Sequence, residues 1–210
     1  MAMNVLVTAG PTREYIDPVR FITNGSSGRM GYAVAAVAAA AGHEVTLLTG
    51  PVALTPPAGC QVVRFVSVED LQQAMGERFD ACDVLVMTAA VGDFRPDKVS
   101  PAKLSRSCGP LTLRLIPTED VLAGFRERKR RGQIVVGFAV EDGTPPQMEA
   151  KARSEMAAKG SDFTVVNTPA AMGARESSAC ILSPRKVLLP WGVRTKDELA
   201  GEIVAIVGSR

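Results

Sequence analysis

Asp17-Pro-Val-Arg-Phe-Ile-Thr-Asn-Gly-Ser-Ser-Gly-Arg-Met-Gly-Tyr32 is the stretch on which the reading of this chain turns. Asp17-Pro18 sets a constrained turn, and residues 19–23 can be extended. Asn24 then enters a loop of small residues, Gly25 to Gly28. The Ala/Val run that follows, residues 33–41, reads only as a buried helix. A small polar loop that ends at a helix start leaves backbone N–H groups free along a dipole that favours negative charge. It is therefore a candidate anion site.

Upstream, residues 4–8 form a short apolar run closed by Ala9-Gly10-Pro11, the pattern of a buried parallel strand and its turn. A dinucleotide-binding domain would place GxGxxG there and enter its helix at once. This chain instead detours through residues 12–17 before reaching its glycine-bearing loop. Downstream, residues 43–49 read as the second strand, giving a βαβ unit with an enlarged first crossover. That strand ends in Thr49-Gly50-Pro51, without the acidic residue that would meet a ribose. No Tyr-x-x-x-Lys pair is present either, so an NAD(P) oxidoreductase is disfavoured.

Composition narrows the classes further. The chain has 210 residues, 46% hydrophobic and 22% charged, with a formal net charge of +2. That is enough for one globular domain, residues 1–210, and it gives no global pull toward nucleic acid or a membrane surface. No apolar run approaches the ~20 residues of a membrane span, and no signal peptide precedes the first strand. Cys60, Cys82, Cys108 and Cys180 are scattered without CxxC spacing, and His43 is the single histidine. A protein-held metal site and a Ser-His-Asp or Cys-His mechanism are both disfavoured. The expected compartment is the reducing cytoplasm.

The rest alternates strands and helices. Residues 62–66 read as a strand, and residues 68–79 as a helix capped by Ser67 with Asp70. Residues 83–88 form a central apolar strand. The loop after it, Ala89-Ala-Val-Gly-Asp93-Phe-Arg-Pro96, lies where open α/β sheets bind ligands. Residues 97–110 lack apolar periodicity and read as a mobile flap, with residues 111–115 as a return strand. Thr118 is expected to cap a helix that ends in the basic run 126–131, read as a solvated helix end. A strand at 133–138, a helix at 146–160 and a strand at 162–166 follow. After a loop at 170–178 come a hairpin around Ser183-Pro-Arg185 and a helix capped by Thr195 with Glu198. The fold class is α/β: a Rossmann-like, doubly wound, mostly parallel sheet of about six or seven strands. It carries a flap insertion after strand four (about 97–115) and a C-terminal hairpin plus helix. The loops after strands one and four should face each other across the ligand crevice.

Residues 8–32 resemble the opening of phosphopantothenoylcysteine synthetase (phosphopantothenate–cysteine ligase), the ligase half of the bacterial bifunctional coenzyme A biosynthesis protein. Ala89-Ala-Val-Gly-Asp-Phe-Arg-Pro96 resembles the family's second signature, and Lys103-Leu-Ser-Arg106 stands at its lysine-rich flap element. Val136-Gly-Phe-Ala-Val-Glu141, Lys159-Gly-Ser-Asp162 and Asn167 match later motifs, so the resemblance spans about residues 4–206. It implies an acid–amine ligase. The carboxylate of 4′-phosphopantothenate attacks the α-phosphate of CTP (or ATP), with Mg²⁺, to give an acyl-cytidylate and pyrophosphate. The amine of cysteine then attacks the acyl carbon and releases CMP. It also implies a homodimer; the family's flavin-dependent decarboxylase half has no room in a chain that begins at strand one, and whether a separate decarboxylase partners it is left open. Nucleic acid and membrane are not expected partners.

By the same resemblance Asn24 contacts the reacting carboxylate, a job for which a neutral amide can donate without forming an ion pair. An Asn-Gly turn is the plainer reading. Ser26, Ser27, Gly28 and Met30 would hold the substrate phosphate, where a serine N-cap is the alternative. Gly10 and Thr12 would flank the triphosphate or simply end the strand. Ala89, Ala90 and Asp93 would receive the nucleotide, the carboxylate accepting from an exocyclic amine or else capping nearby N–H groups. Lys103 would close from the flap on the α-phosphate. Thr118, Glu119, Asp120 and Val121 would meet the nucleotide through a helix N-terminus, Phe138 would lie against the base or in the core, and Lys159 would reach the nucleotide. Ser105, Arg106 and Glu155 depart from the family's lysines. They leave open a related ligase with another substrate, or a non-catalytic nucleotide-binding relative.

Overall fold

Every residue of Asn4–Ala9 (β1) after the first is buried, and its side chains alternate between two cores. Val5, Val7 and Ala9 face one core and Leu6 faces the other. A strand apolar on both faces must lie inside a sheet covered on both sides. The structure, a computed structural model, describes residues 1–106 and 109–209. In it, β1 lies between Glu44–Thr49 (β4) and Val84–Met87 (β6), parallel to both. Cys60–Arg64 (β5) pairs outside β4, and Ile134–Val140 (β9) and Phe163–Asn167 (β10) extend the sheet on the other side, all parallel. Glu176–Leu182 (β11) and Val187–Thr195 (β12) complete it antiparallel. The eight-stranded order is β12-β11-β10-β9-β6-β1-β4-β5. The sheet reverses direction of build between β1 and β6, so the crevice expected after strands one and four is there.

Helices cover both faces. Arg29–Ala40 (α1) and Lys196–Gly208 (α5) share one core, in which Val34, Ala35 and Ala38 meet Leu199 and Ile203. Val68–Gly76 (α2) and Val121–Gly124 (α3) cover the other face with Phe79 and Phe125. Pro145–Lys159 (α4) packs Met148, Ala152 and Met156 on β10 and β11. Both capping boxes read from sequence form: Ser67 with Asp70 starts α2, and Thr195 with Glu198 starts α5.

Several local expectations are corrected. The detour after β1 is a hairpin, Arg13–Tyr15 (β2) against Phe21–Thr23 (β3), held at its turn by Asp17. The return arm of the flap is Leu115–Pro117 (β8), paired with Phe94–Pro96 (β7), rather than residues 111–115. The flap is thus a loop on a short antiparallel ribbon, and part of it, Ser107 and Cys108, lies outside the described residues. Residues 176–178 belong to β11 rather than to a loop, because Ser177 and Ser178 pair with Arg194 and Val193. The basic run is not simply solvated. The Arg128 guanidinium takes both oxygens of Asp80 (3.2 and 2.8 Å), and Lys129 Nζ takes Asp162 (2.7 Å) and the Gly160 carbonyl (3.0 Å). Arg130 donates to the Cys82 carbonyl at 2.8 Å. These cations join the ends of α2 and α4 to the strand entering the sheet. Cys82 and Cys180 are core residues, and burial pushes the Cys180 thiol up to about 12.

Candidate functional site

The turn into α1 is built without a capping side chain. Gly28 is the N-cap residue at φ 77°, a left-handed conformation open to glycine. No side chain accepts from the first-turn amides, and no acidic residue lies in that turn. The Ser26 hydroxyl instead accepts from the Gly28 N–H (3.3 Å), so the serines do not serve as N-caps. The first reach-back within the helix is Tyr32 N–H to Gly28 O. An uncapped helix start is a set of donors awaiting an acceptor. It opens on a cavity of about 700 Å³ lined by Asn24, Ser26–Met30, Ala89–Val91, Asp93, Thr118–Val121, Phe138 and Lys159.

The opposite wall is set by loop bonds across the sheet reversal. Pro11 bridges Ala90, the Ala90 N–H donates to Gly10 O (2.9 Å), and Thr12 N–H donates back to Ala90 O (3.2 Å). The Thr12 hydroxyl accepts from Gly92 N–H at 2.9 Å. Gly10 and Thr12 therefore stand one layer behind the cavity wall, bracing the Ala89–Gly92 loop. Asn24 Nδ2 donates to Ala90 O (2.8 Å) and Val91 O (3.0 Å). Both amide hydrogens are thus committed, and Asn24 presents its oxygen rather than a donor. Thr118 is not the N-cap of α3. Its hydroxyl donates to Gly92 O and its N–H to Asp93 O, which pins the loop bearing Asp93. The cap is Asp120, accepting from Ala123 N–H at 3.0 Å.

The third wall is a chain of alternating charges. Lys159 Nζ lies 3.3 Å from Asp120 and 3.4 Å from Glu155, and Lys151 Nζ lies 2.7 Å from buried Glu141. Burial pulls the Lys159 ammonium toward neutrality, but Asp120 and Glu155 together raise its pKa above the usual lysine range. The Glu141 carboxylate does the same for Lys151. Glu155, which replaces a lysine of the family pattern, is therefore bracketed by Lys151 and Lys159. Phe138 is partly buried, with one side in the α1–α5 core and the other on the cavity.

Lys103 is exposed and is not part of the cavity wall. Its neighbour Leu104 donates its N–H to Asp17 Oδ2 (3.1 Å) and accepts from Arg20 Nη2 (2.6 Å), which ties the flap to the β2–β3 turn. Other lining residues carried no sequence signal of their own. Lys151 sits inside a mixed stretch, and Lys196 is the first residue of a helix whose capping box drew the reading elsewhere, while Glu141 closed the 136–141 motif without being given a role. Among the described residues, no helix is long and apolar enough to cross a membrane.

Comparison with known proteins agrees with this fold. The chain is 39% identical over 205 residues to a cysteine/cysteine sulfinic acid decarboxylase of an unidentified prokaryote, covering 95% of this chain and 56% of that protein. It is 48% identical over 171 residues to the coenzyme A biosynthesis bifunctional protein CoaBC of Mycobacterium tuberculosis, covering 78% of this chain and 41% of that protein. The chain thus spans about half the length of the curated relatives it matches. A crystal structure of the C-terminal domain of CoaBC superposes with a TM-score of 0.83 at 35% identity, covering 99% of this chain and 94% of that one. Residues 1–209 match the family described as the DNA/pantothenate metabolism flavoprotein C-terminal domain. The mostly parallel sheet is therefore a shared feature, and this chain belongs to that family.

Proposed function

We propose that this chain joins 4′-phosphopantothenate to L-cysteine at the expense of a nucleoside triphosphate, CTP in preference to ATP. The observation that carries the reading is the uncapped start of α1 facing, across one cavity, the Asp93 and Asp120 wall. Coenzyme A biosynthesis proteins among the relatives support it. A carboxylate oxygen of phosphopantothenate attacks the α-phosphate, and the bond to pyrophosphate breaks. The cysteine amine then attacks the acyl carbon of the acyl-cytidylate, loses a proton and expels CMP. The free amides of α1 and the Ser26 and Ser27 hydroxyls suit a phosphate. Asp93, Thr118–Val121 and Phe138 suit the nucleoside, and Lys159 its phosphates. Asn24 holds the Ala90–Val91 loop and offers its oxygen to a substrate N–H, such as the attacking amine.

Among the described residues, no cluster of three or more His, Cys, Asp and Glu is placed to hold a metal ion. Mg²⁺ suits this site as a companion of the triphosphate, bound by phosphate oxygens and water and adding charge neutralisation. A homodimer in the cytoplasm completes the proposal, and its product, which keeps the cysteine carboxylate, is the substrate of a flavin-dependent decarboxylase. A nucleotide-binding relative without turnover is the second reading, favoured by the position of Lys103 outside the cavity. Purified protein with 4′-phosphopantothenate, Mg²⁺, and CTP or ATP, with and without cysteine, separates the two. Pyrophosphate release that requires phosphopantothenate, and CMP release that requires cysteine, is the expected result. Nucleotide binding without either release selects the second reading.

A further inference from the structure

We infer that Lys196 is a phosphate-binding residue, the cationic part of a second anion seat beside the uncapped start of α1. The inference deepens the proposed function and rests on that reading for the identity of the ligand. Lys196 lines the cavity, half-buried, at the junction of β12 and α5. The helix start does not need it, because Thr195 and Glu198 satisfy the cap between them. Its Nζ donates to the Ala171 carbonyl at 3.3 Å and to the Ser177 hydroxyl, both neutral. Among the described residues it has no carboxylate within ion-pair distance, whereas Lys151 and Lys159 in the same cavity each have two. An ammonium has a third hydrogen to give.

A half-buried cation without a counter-charge is costly, and burial draws its pKa below the usual lysine range. A bound anion removes that cost. The place is right for one. Gly173, two residues beyond Ala171, lies against the Gly25 carbonyl, since a Cβ built on it would stand 3.9 Å from that oxygen. The 171–173 segment that seats Lys196 therefore borders the loop leading into α1. The same cavity holds Asn167, whose Oδ1 is buried with no partner, an acceptor that suits a hydroxyl or N–H of the ligand carrying the anion. An anion reaching from the α1 amides to Lys196 would be a phosphate chain, or the phosphate end of a longer substrate. Both sources offer the same chemistry, a phosphoryl group that accepts from an ammonium.

The test is calorimetric titration of wild type, Lys196→Gln and Lys196→Arg with pyrophosphate, CTP, CMP, 4′-phosphopantothenate and pantothenate. The neutral glutamine can still donate to Ala171 and Ser177, so it separates charge from support of the segment. We expect Lys196→Gln to bind pyrophosphate about tenfold more weakly and Lys196→Arg to restore much of the loss. If CTP weakens and CMP does not, the seat takes the nucleotide's terminal phosphates. If phosphopantothenate weakens and pantothenate does not, it takes the substrate phosphate. Unchanged affinity for every phosphorylated probe overturns the inference, as does equal weakening of CMP and pantothenate, which would mark a structural role. Should Lys196→Gln fail to fold, the CTP-to-CMP affinity ratio of Lys196→Met decides in the same way. Full ligase turnover with an unaffected Lys196→Gln sinks the seat alone. Pyrophosphate binding that depends on Lys196, without ligase turnover, sinks the ligase reading alone.

Discussion

Asn24 Nδ2 reaches the carbonyl oxygens of Ala90 and Val91 at 2.8 and 3.0 Å, so a single amide fastens the loop before α1 to the loop after β6. Asn24→Asp would place a carboxylate oxygen against two carbonyl oxygens. We expect a loss of about 1–3 kcal/mol in urea unfolding together with loss of acyl transfer. Asn24→Ala removes the bonds without adding charge and should cost less. An Asn24→Asp protein as stable as wild type would show that the bridge contributes nothing.

The Asp17 carboxylate is buried and accepts from the N–H groups of Val19, Arg20 and Leu104. Burial alone would push its pKa up, but those donors and the Arg20 guanidinium outweigh it and hold the carboxyl below the usual range. The sign follows: a depressed folded-state pKa stabilises the fold above the ordinary aspartate value, near pH 4, and the benefit disappears as pH falls through the lower folded value. Amide exchange of residues 98–106, corrected for intrinsic rates, should be slow at pH 6 and quicken as pH falls through that lowered value. Asp17→Ala should give the fast behaviour at neutral pH. A flap equally protected in both proteins would remove Asp17 as its tether.

At Gly31, α1 lies tight against the sheet. A Cβ there would stand 2.5 Å from Ala9 Cβ, 2.5 Å from Thr88 Oγ1 and 2.9 Å from Thr8 O. None of these atoms is the end of a long flexible side chain. Gly31→Ala should cost about 1–3 kcal/mol by pushing the helix start outward, and should weaken pyrophosphate binding with it. Chemical denaturation and calorimetry on the same sample check both. Wild-type stability would mean that the helix start yields freely.

These three sites show what could be read from residues alone. The βαβ order, the central strands and the reversal between β1 and β6 were legible because runs such as residues 5–7 and 84–87 are apolar on both faces. Ser67–Asp70 and Thr195–Glu198 were legible because a capping box is local. The β2–β3 hairpin was not, since Arg13-Glu-Tyr15 owes its extended form to pairing with residues 21–23 and to Asp17 at the turn. Thr118 looked like a cap, but its hydroxyl goes to Gly92, 26 residues away. Charge partners were the least legible: Lys129 with Asp162, and Lys159 with Asp120, are set by the sheet order.

Lys103 is exposed and outside the cavity wall in this structure, so the catalytic part that the resemblance implies for it would require the flap to move. Lys103→Gln should leave the dissociation constant for CTP about unchanged and lower kcat by roughly 10²-fold, as expected for a charge that acts in the transition state. Steady-state kinetics alongside equilibrium binding distinguish the cases. Weaker CTP binding at unchanged kcat would make the flap a ground-state clamp instead.

The neighbours of β1 also set an order of assembly. β4 lies within a short stretch of chain, but β6 pairs Val84 against Val5, 79 positions along. If the local β1–α1–β4 unit docks first, it leaves one side of β1 as an open row of N–H and C=O groups until that distant segment returns. The Asn24 bridge and the facing loop then appear together, in the last closure. A chain held at that stage would carry the uncapped helix start with no wall opposite it. Saturating nucleotide, which on the proposed function needs both walls, should therefore slow unfolding far more than it speeds refolding.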